Sequence, residues 1–197
     1  EMKKFLCAFA LTVLSAGTAA ADGDGFYTRF DAGYSDGARR GVGKGVTVQT
    51  GFGQKAGIFR GEFTVEYTRN HTKGGAFDGL AGSSRTRLMS LAAMAAGYAD
   101  LFTVKGVTPY IGAGVGVSRN DLPDFVVDGR QFFGNTKYRL AWKAAAGVGI
   151  DLPARLVLDI GFSYAGLGRF STKDNPRPPL RQEMNARKFT AGLRYNF

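Results

Sequence analysis

The chain contains a single histidine, His71, and its neighbours could in principle support catalysis. A histidine acts as a general base when a hydroxyl or carboxyl group lies within hydrogen-bond reach, and Asp78 and Ser83 follow it in the same stretch. The segment Asn70-His71-Thr72 matches no catalytic spacing, so the simplest interpretation is a solvated loop histidine. With one histidine and one cysteine, Cys7, most metal sites and any disulfide framework are excluded. The sequence therefore predicts no catalytic residue, no metal and no cofactor.

Two glycine-rich segments resemble nucleotide-binding loops but lack required residues. Gly41-Val42-Gly43-Lys44-Gly45 lacks the first glycine and the Ser/Thr of a phosphate-binding loop, and Gly112-Ala113-Gly114-Val115-Gly116 lacks the last glycine of a dinucleotide fingerprint. A structural role explains these glycines better. Glycine leaves space for large side chains opposite it, such as Tyr110, Arg139 and Lys143.

Charged residues alternate with apolar residues along several segments. In the clearest one, Arg60, Glu62 and Glu66 alternate with Phe59 and Phe63, and this period of two puts the charges on one face of a strand. Including Arg139, the charged face holds six basic and four acidic residues, and burying so many charges without partners would be very costly. We therefore expect an internal network of ion pairs, formed by Arg29, Asp31, Arg60, Glu62, Glu66, Lys143, Asp159, Lys188 and Arg194.

Eight stretches of alternating residues supply the elements that must hold these charges. Seven predict strands directly. The fourth, with Leu88-Met89-Ser90-Leu91 near its start, fits a helix equally well, and only its neighbours favour a strand. The eight stretches cover residues 26–34, 46–53, 59–68, 87–98, 108–118, 138–150, 158–164 and 188–197.

The first 21 of the 197 residues predict a secretory signal peptide. Lys3 and Lys4 provide the positive region, residues 5–14 the apolar region and Ala19-Ala20-Ala21 the small-residue cleavage site, which leaves residues 22–197 as the mature domain. No later segment has 18 consecutive apolar residues, so transmembrane helices are excluded. Two classes of protein are still compatible with the sequence: an exported soluble domain and a membrane β-barrel.

The lengths of the connections favour the barrel. Short connections at 54–56, 101–106 and 151–155 alternate with long ones at 35–44, 69–84, 119–137 and 166–186. Short turns on one rim and long loops on the other are typical of outer-membrane barrels. We therefore predict an all-β, eight-stranded antiparallel up-and-down transmembrane barrel, a fold that explains the loops better than a soluble sandwich does.

Three segments resemble a known group of proteins. Residues 108–117, TPYIGAGVGV, resemble the "PYxGxGxG" strand of small outer-membrane barrels, and residues 25–34 are similar to their first strand. The ending GLRYNF resembles their C-terminal strand, which the barrel assembly machinery reads. The resemblance is to the OmpA/OmpX-like superfamily, in particular to porin-family and opacity-like surface proteins. It implies a location in the outer membrane of a Gram-negative bacterium and an assembly signal at Leu193, Tyr195 and Phe197.

Positive charge is concentrated in the predicted loops. The first, second and fourth long connections carry net charges of +2, +2 and +3 when Arg85 and Arg187, which closely follow the second and fourth, are counted with them, within a chain of net charge +10. Phosphorylated lipopolysaccharide is the nearest anion for such loops, and pairing with arginine is the expected chemistry. Host polyanions are a second possible partner, whereas nucleic acid is excluded by location. The candidate anion contacts are Arg39, Arg40, Lys73, Arg169, Arg177 and Arg181.

These features predict a monomeric structural and interaction protein with basic, adhesin-like surface loops. One alternative is a narrow pore for ions or small solutes. Another is a lipid-A-modifying enzyme that depends on His71. An apolar cluster at Phe125-Val126-Val127 and Phe132-Phe133 is either a protein contact or a flared continuation of strands five and six.

Overall fold

The computed structural model describes residues 25–38, 42–72, 87–127, 130–171 and 181–197, and almost all of them lie in β-strands. The expected signal peptide, residues 1–21, lies outside the described residues. None of the described residues forms a helix long and apolar enough to cross a membrane. The strands are β1 Gly25–Gly37, β2 Val42–Ala56, β3 Phe59–Thr72, β4 Arg87–Asp100, β5 Val107–Leu122, β6 Phe125–Val127, β7 Arg130–Phe132, β8 Asn135–Leu152, β9 Leu156–Ser171 and β10 Arg181–Asn196.

Eight of these strands close into a barrel in the order β1-β10-β9-β8-β5-β4-β3-β2. Every neighbouring pair is antiparallel, and the first and last strands close the barrel through pairs such as Phe30–Leu193 and Tyr34–Phe189. Closure leaves no unpaired sheet edge along the body of the barrel. The predicted all-β, eight-stranded antiparallel barrel is confirmed.

The fourth stretch is a strand. In β4, side chains alternate between buried positions such as Leu88 and Met94 and less buried ones such as Leu91. Its backbone pairs with β3 on one side and β5 on the other over nearly its whole length. These two ladders override a local sequence that suits a helix equally well.

The two faces of the barrel differ sharply in polarity. Alternate residues of each strand place phenylalanine, tyrosine, valine and leucine on the outside, where Phe30, Phe63 and Val115 are each more than half exposed. The opposite residues are buried and mostly polar, charged or small. The period of two predicted from the sequence therefore describes both faces.

Most strands extend beyond their predicted ends. The connections at one end, the loop side, shrink to residues 38–41, 73–86, 123–134 and 172–180, while those at the turn side cover 57–58, 101–106 and 153–155. The first connection is thus short, although residues 35–44 predicted a long loop. Backbone pairing continues past the predicted ends, where one face still has buried residues such as Ser35, Asn70 and Leu167, but the sequence there no longer alternates regularly between apolar and polar residues.

The apolar cluster after β5 forms a small hairpin that prolongs the β5–β8 pair. The β5–β8 ladder ends at Leu122–Asn135, and β6 then pairs with β7 as a separate two-stranded sheet. Between the two ladders, the backbone N–H of Gly134 donates to the Asp124 carboxylate at 2.6 Å. This arrangement corresponds to the continuation of two strands, with an interruption at Pro123-Asp124.

Candidate functional site

The nine charged residues predicted to line the interior are all buried inside the barrel. A tenth, Asp100, is also buried there and was missed from the sequence. Its position in β4 has the same parity as the inward residues Ala96 and Tyr98, so two more residues of alternation would have identified it. Among the described residues, the buried charged side chains are therefore five basic and five acidic.

Arg139 has the inward parity that was predicted and lies opposite the buried Ser118, but its side chain is exposed and is not one of the buried charges. The β8–β9 ladder ends at Trp142–Gly166, and Arg139 lies beyond it. There, Leu167 of β9 fills the interior, and its carbonyl oxygen accepts a hydrogen bond from the Ser118 hydroxyl at 2.7 Å. Arg139 therefore belongs to the loop-side surface.

The layer nearest the turns is built around the guanidinium of Arg60. Its Nε donates to Asp100 at 3.0 Å, and its Cζ lies 5.1 Å and 4.7 Å from the ring centres of Tyr98 and Tyr110. Among the described residues, neither Nη atom has a hydrogen-bond acceptor. The two tyrosines meet edge to face at 5.8 Å, so the cation is held mainly between aromatic rings.

A second group of contacts links β1 to β3. Arg29 forms two hydrogen bonds with Asp31, at 2.8 Å and 2.7 Å, and a third with Glu62 at 3.3 Å. The Tyr27 hydroxyl donates to the same Glu62 oxygen at 2.9 Å. On β10, Arg194 lies 3.3 Å from the carboxylate of Asp159. Charges of both signs are thus paired side by side.

Two lysines cross the width of the barrel. Lys143 on β8 donates to Gln49 at 3.1 Å, and β8 lies opposite β2 in the eight-stranded ring. Lys188 on β10 forms an ion pair with Glu66 on β3, three strands away around the ring. Glu66 also accepts a hydrogen bond from Thr68 at 3.2 Å. These side chains obstruct the middle of the bore.

A cavity of about 30 Å³ remains among these polar groups, beside Arg29, Glu66 and Lys143. A single water molecule needs roughly 10–15 Å³ of such space. The space therefore has room for about two waters.

An apolar cluster occupies the loop-side part of the interior, beside buried polar side chains such as Asn70 and Asn120. Its large members at 0% exposure are Leu88, Met94, Leu167 and Met184, with Val42 and Leu122 beside them. These residues come from five different strands, and the sequence did not predict such a cluster. Leu167 is held by two bonds to its carbonyl oxygen, from Ser118 and from Asn120 at 2.6 Å.

The predicted anion contacts fall mostly outside the described part of the chain. Arg39, Arg40, Lys73 and Arg177 lie outside the described residues, and Arg181 is described only in its backbone, at the start of β10. Arg169 is exposed and pairs with Glu183 at 3.1 Å.

The remaining predicted residues lie at opposite ends of the barrel. His71 is exposed on β3, opposite Arg87 of β4, while Asp78 and Ser83 are not among the described residues. In the C-terminal strand, Leu193 and Tyr195 face outward. The Phe197 N–H donates to the Phe26 carbonyl oxygen at 2.9 Å.

Comparison with known proteins agrees with this architecture. Neisserial surface protein A (NspA) is 24% identical, with 87% of this chain and 97% of that chain covered and a TM-score of 0.56. AlkL, solved by solid-state NMR in DMPC bilayers, is 14% identical over 92% and 94% of the two chains, with a TM-score of 0.55. OprG from Pseudomonas aeruginosa is 10% identical over 88% and 98%, with a TM-score of 0.54.

AlkL and OprG are outer-membrane proteins and NspA is a surface protein, and at these identities the likeness concerns the fold. No curated protein sequence matches the chain. The profile of the outer membrane protein beta-barrel domain matches residues 6–197. The chain therefore belongs to the outer membrane protein beta-barrel domain family, whose members lie in the outer membrane of Gram-negative bacteria.

Proposed function

We propose that the protein is a closed outer-membrane barrel whose basic loop-side surface binds polyanions, and that it acts as a monomeric interaction protein. The observation that carries the proposal is the balance of five basic and five acidic buried charges. An interior with no surplus charge and with side chains crossing it supports a structural core. We therefore assign the function to the surface of the barrel.

A selective ion path would need a continuous route and a surplus of one sign. Here Lys143 and Lys188 cross the middle of the bore, and an apolar cluster lies towards its loop-side end. Opening a path would require breaking buried ion pairs, which costs several kcal/mol each. These contacts favour a surface role over the narrow-pore alternative.

The loop-side rim carries exposed cations that can meet an anionic surface. Among the described residues, Lys44, Arg87, Arg139 and Arg187 are exposed and form no ion pair with a described carboxylate. Arg169 forms an ion pair that is itself exposed, and such pairs contribute little and exchange readily for other anions. Together with the positive loops, this rim supports binding of lipopolysaccharide phosphates or host polyanions through arginine.

A salt titration of binding tests the proposal. The protein is refolded, and its folding is checked by the shift in gel mobility on boiling. Its binding to immobilised lipopolysaccharide and to immobilised heparin is then measured at increasing salt concentration. The loop-side variant is Arg87→Gln/Arg139→Gln/Arg187→Gln, with Arg169→Gln/Arg177→Gln/Arg181→Gln as a second. The matched control is Lys105→Gln/Arg155→Gln, which removes exposed cations from the turn side.

We expect binding that weakens steeply with salt, because screening shortens electrostatic interactions to about 10 Å at 0.1 M salt. Both loop-side variants should bind more weakly, while the turn-side control should match the wild type. The preferred ligand distinguishes the protein's own lipid leaflet from host polyanions. Absence of binding at low salt, or equal losses in all three variants, would contradict the proposal.

We also infer that the last strand is read during assembly, through Leu193, Tyr195 and Phe197. The first two side chains face outward, and the rings of Tyr195 and Phe197 meet edge to face at 5.4 Å. We expect Phe197→Ala to reduce outer-membrane levels in cells while the purified chain still refolds in detergent. Equal losses in both assays would indicate a folding defect instead.

A further inference from the structure

Lys143 differs from the other buried cations of the interior because it forms no ion pair with any described carboxylate. It is 4% exposed, and its ammonium donates only to two neutral groups, the Gln49 side-chain oxygen at 3.1 Å and the Thr64 hydroxyl at 3.4 Å. A buried charge without a counterion is costly. The four other buried cations each have an acidic partner: Arg29, Arg60, Lys188 and Arg194.

Equal numbers of buried charges therefore do not give equal pairing. Arg29 takes two of the five buried carboxylates, Asp31 and Glu62. The other three carboxylates each pair with a different buried cation. All five acidic groups thus have a partner among the described residues, and Lys143 is the cation that is left without one.

The two neutral partners hold the Lys143 ammonium in place. The Gln49 side-chain amide donates to Asp31 at 3.2 Å, and the Thr64 hydroxyl donates to the Met94 carbonyl oxygen at 3.5 Å. An ammonium carries three N–H donors, so one of them is still free. It is available to the internal cavity of about 30 Å³, which Lys143 lines.

This cavity has a polar lining to which each of the eight barrel strands contributes. Tyr98 and Tyr110 in this lining are only 5% and 4% exposed. Buried hydroxyl groups are normally hydrogen-bonded, so these groups require a partner inside the cavity. Four hydroxyl groups line the cavity and have no hydrogen-bond partner among the described residues: Tyr98, Tyr110, Ser163 and Thr190.

The charges around the cavity favour an anion over a cation. Arg29 and Lys143 both line it, and Arg29 has N–H donors beyond the three that it gives to acidic groups. Glu66 also lines the cavity, but its carboxylate is already paired with Lys188 and accepts a hydrogen bond from Thr68. A cation in this space would face two cationic side chains, whereas an anion would meet free N–H and O–H donors.

The size of the cavity limits the anion to a single small ion. A space for about two waters accepts a monatomic anion such as chloride, which is only slightly larger than a water molecule. Phosphate and sulfate are too large for it. Ala145 and Gly161 line the cavity on β8 and β9, and their small size keeps the space open.

We propose that this cavity binds one small monovalent anion of the size of chloride, held by the Lys143 ammonium and the unpartnered hydroxyl groups. The anion supplies the counterion that Lys143 lacks and completes the closed interior. The site lies inside the barrel, so it is independent of polyanion binding at the loop-side surface.

Bromide serves as the probe, because its anomalous scattering locates the ion in crystals of the refolded protein grown with sodium bromide. Unfolding by urea is then followed by gel mobility while bromide replaces gluconate at constant ionic strength. Lys143→Met removes the ammonium, and Thr190→Val removes one hydroxyl of the lining and keeps its shape. Thr47→Val is the matched control, since its hydroxyl contacts Thr68 and does not line the cavity.

We expect one bromide peak in the cavity, beside the Lys143 ammonium, and a urea midpoint that rises with bromide concentration. Above the dissociation constant, a tenfold increase in bromide should raise the equilibrium constant for folding about tenfold, because only the folded barrel binds the ion. Lys143→Met should lose both signals and Thr190→Val should weaken them. Thr47→Val should match the wild type.

A bromide peak without any bromide dependence of stability would indicate an adventitious ion only and would overturn the proposal. Equal bromide dependence in the wild type and in Lys143→Met would also overturn it. Absence of both the peak and the dependence would overturn it and leave the cavity to water. If Lys143→Met does not fold, equal bromide dependence of Thr190→Val and Thr47→Val would have the same meaning.

Discussion

The Nε atom of Arg60 donates to the Oδ1 atom of Asp100 at 3.0 Å, which joins the start of β3 to the end of β4. Both side chains are buried at the turn-side end of the barrel. Lys55, which is partly exposed, lies 3.1 Å from the other oxygen of Asp100. Asp100 thus balances two cations, and Arg60 depends on it for its charge partner.

Asp100→Asn is expected to destabilise the barrel by about 3 kcal/mol, because it leaves a buried guanidinium without a counterion. Unfolding by urea in lipid vesicles, followed by gel mobility, measures the change. The control is Arg169→Gln, which removes an exposed ion pair and should change stability by less than about 1 kcal/mol.

A double variant separates loss of the pair from loss of the carboxylate alone. Arg60→Met/Asp100→Asn removes both charges, so it should be more stable than Asp100→Asn by itself. If Asp100→Asn costs no more than the surface control, the ion pair does not stabilise the barrel.

Two glycines that lie diagonally across the β4–β5 ladder, Gly97 and Gly112, should respond differently to substitution by alanine. A Cβ on Gly112 would overlap the Tyr98 ring and would lie 2.7 Å from the Gly97 carbonyl oxygen, whereas a Cβ on Gly97 meets nothing within 4 Å. Gly112→Ala should therefore destabilise by ~1–3 kcal/mol. Gly97→Ala should change stability by less than about 1 kcal/mol, because it restricts only the unfolded chain.

The same urea titration measures both glycine variants. Equal effects of Gly112→Ala and Gly97→Ala would show that the ring of Tyr98 can move aside. The interior would then be less tightly packed than the contacts indicate.

The folded protein should give no single-channel steps in a planar bilayer. Removing the apolar cluster alone, with Leu88→Ala/Leu167→Ala/Met184→Ala, should leave it silent because Lys143 and Lys188 still cross the bore. Reproducible steps from the folded wild type would overturn the closed-barrel proposal. Steps from the triple variant only would identify the apolar cluster as the barrier.

The hydrogen bonds to the Leu167 carbonyl oxygen should control order at the end of β9. Ser118→Ala/Asn120→Ala removes both donors, so amide hydrogen exchange in residues 167–171 should accelerate while the body of the barrel keeps its protection. Thr47→Ala is the control, since its hydroxyl contacts Thr68 on another part of the wall. Unchanged exchange at 167–171 would mean that the β9–β10 ladder alone holds this segment.

Much of the architecture follows from the order of residues alone, because a strand has a period of two. Phe59, Arg60 and the residues after them can be assigned to opposite faces without coordinates, and closure then places Arg60 inside. The same reasoning identified nine of the ten buried charges, and Asp100 was missed only because the alternation was followed no further than Tyr98.

The tertiary structure decided which side chains face each other across the interior of the barrel. The pairing of Lys188 with Glu66 spans 122 residues, and it depends on strand order and register, which no local pattern encodes. The exposure of Arg139 has the same origin, since Leu167 occupies the interior beside it. The sequence by itself determined the strands, their two faces and the charged interior, because these depend on local alternation. The partners of the charges and the apolar cluster required the closed barrel, because they join residues from distant strands.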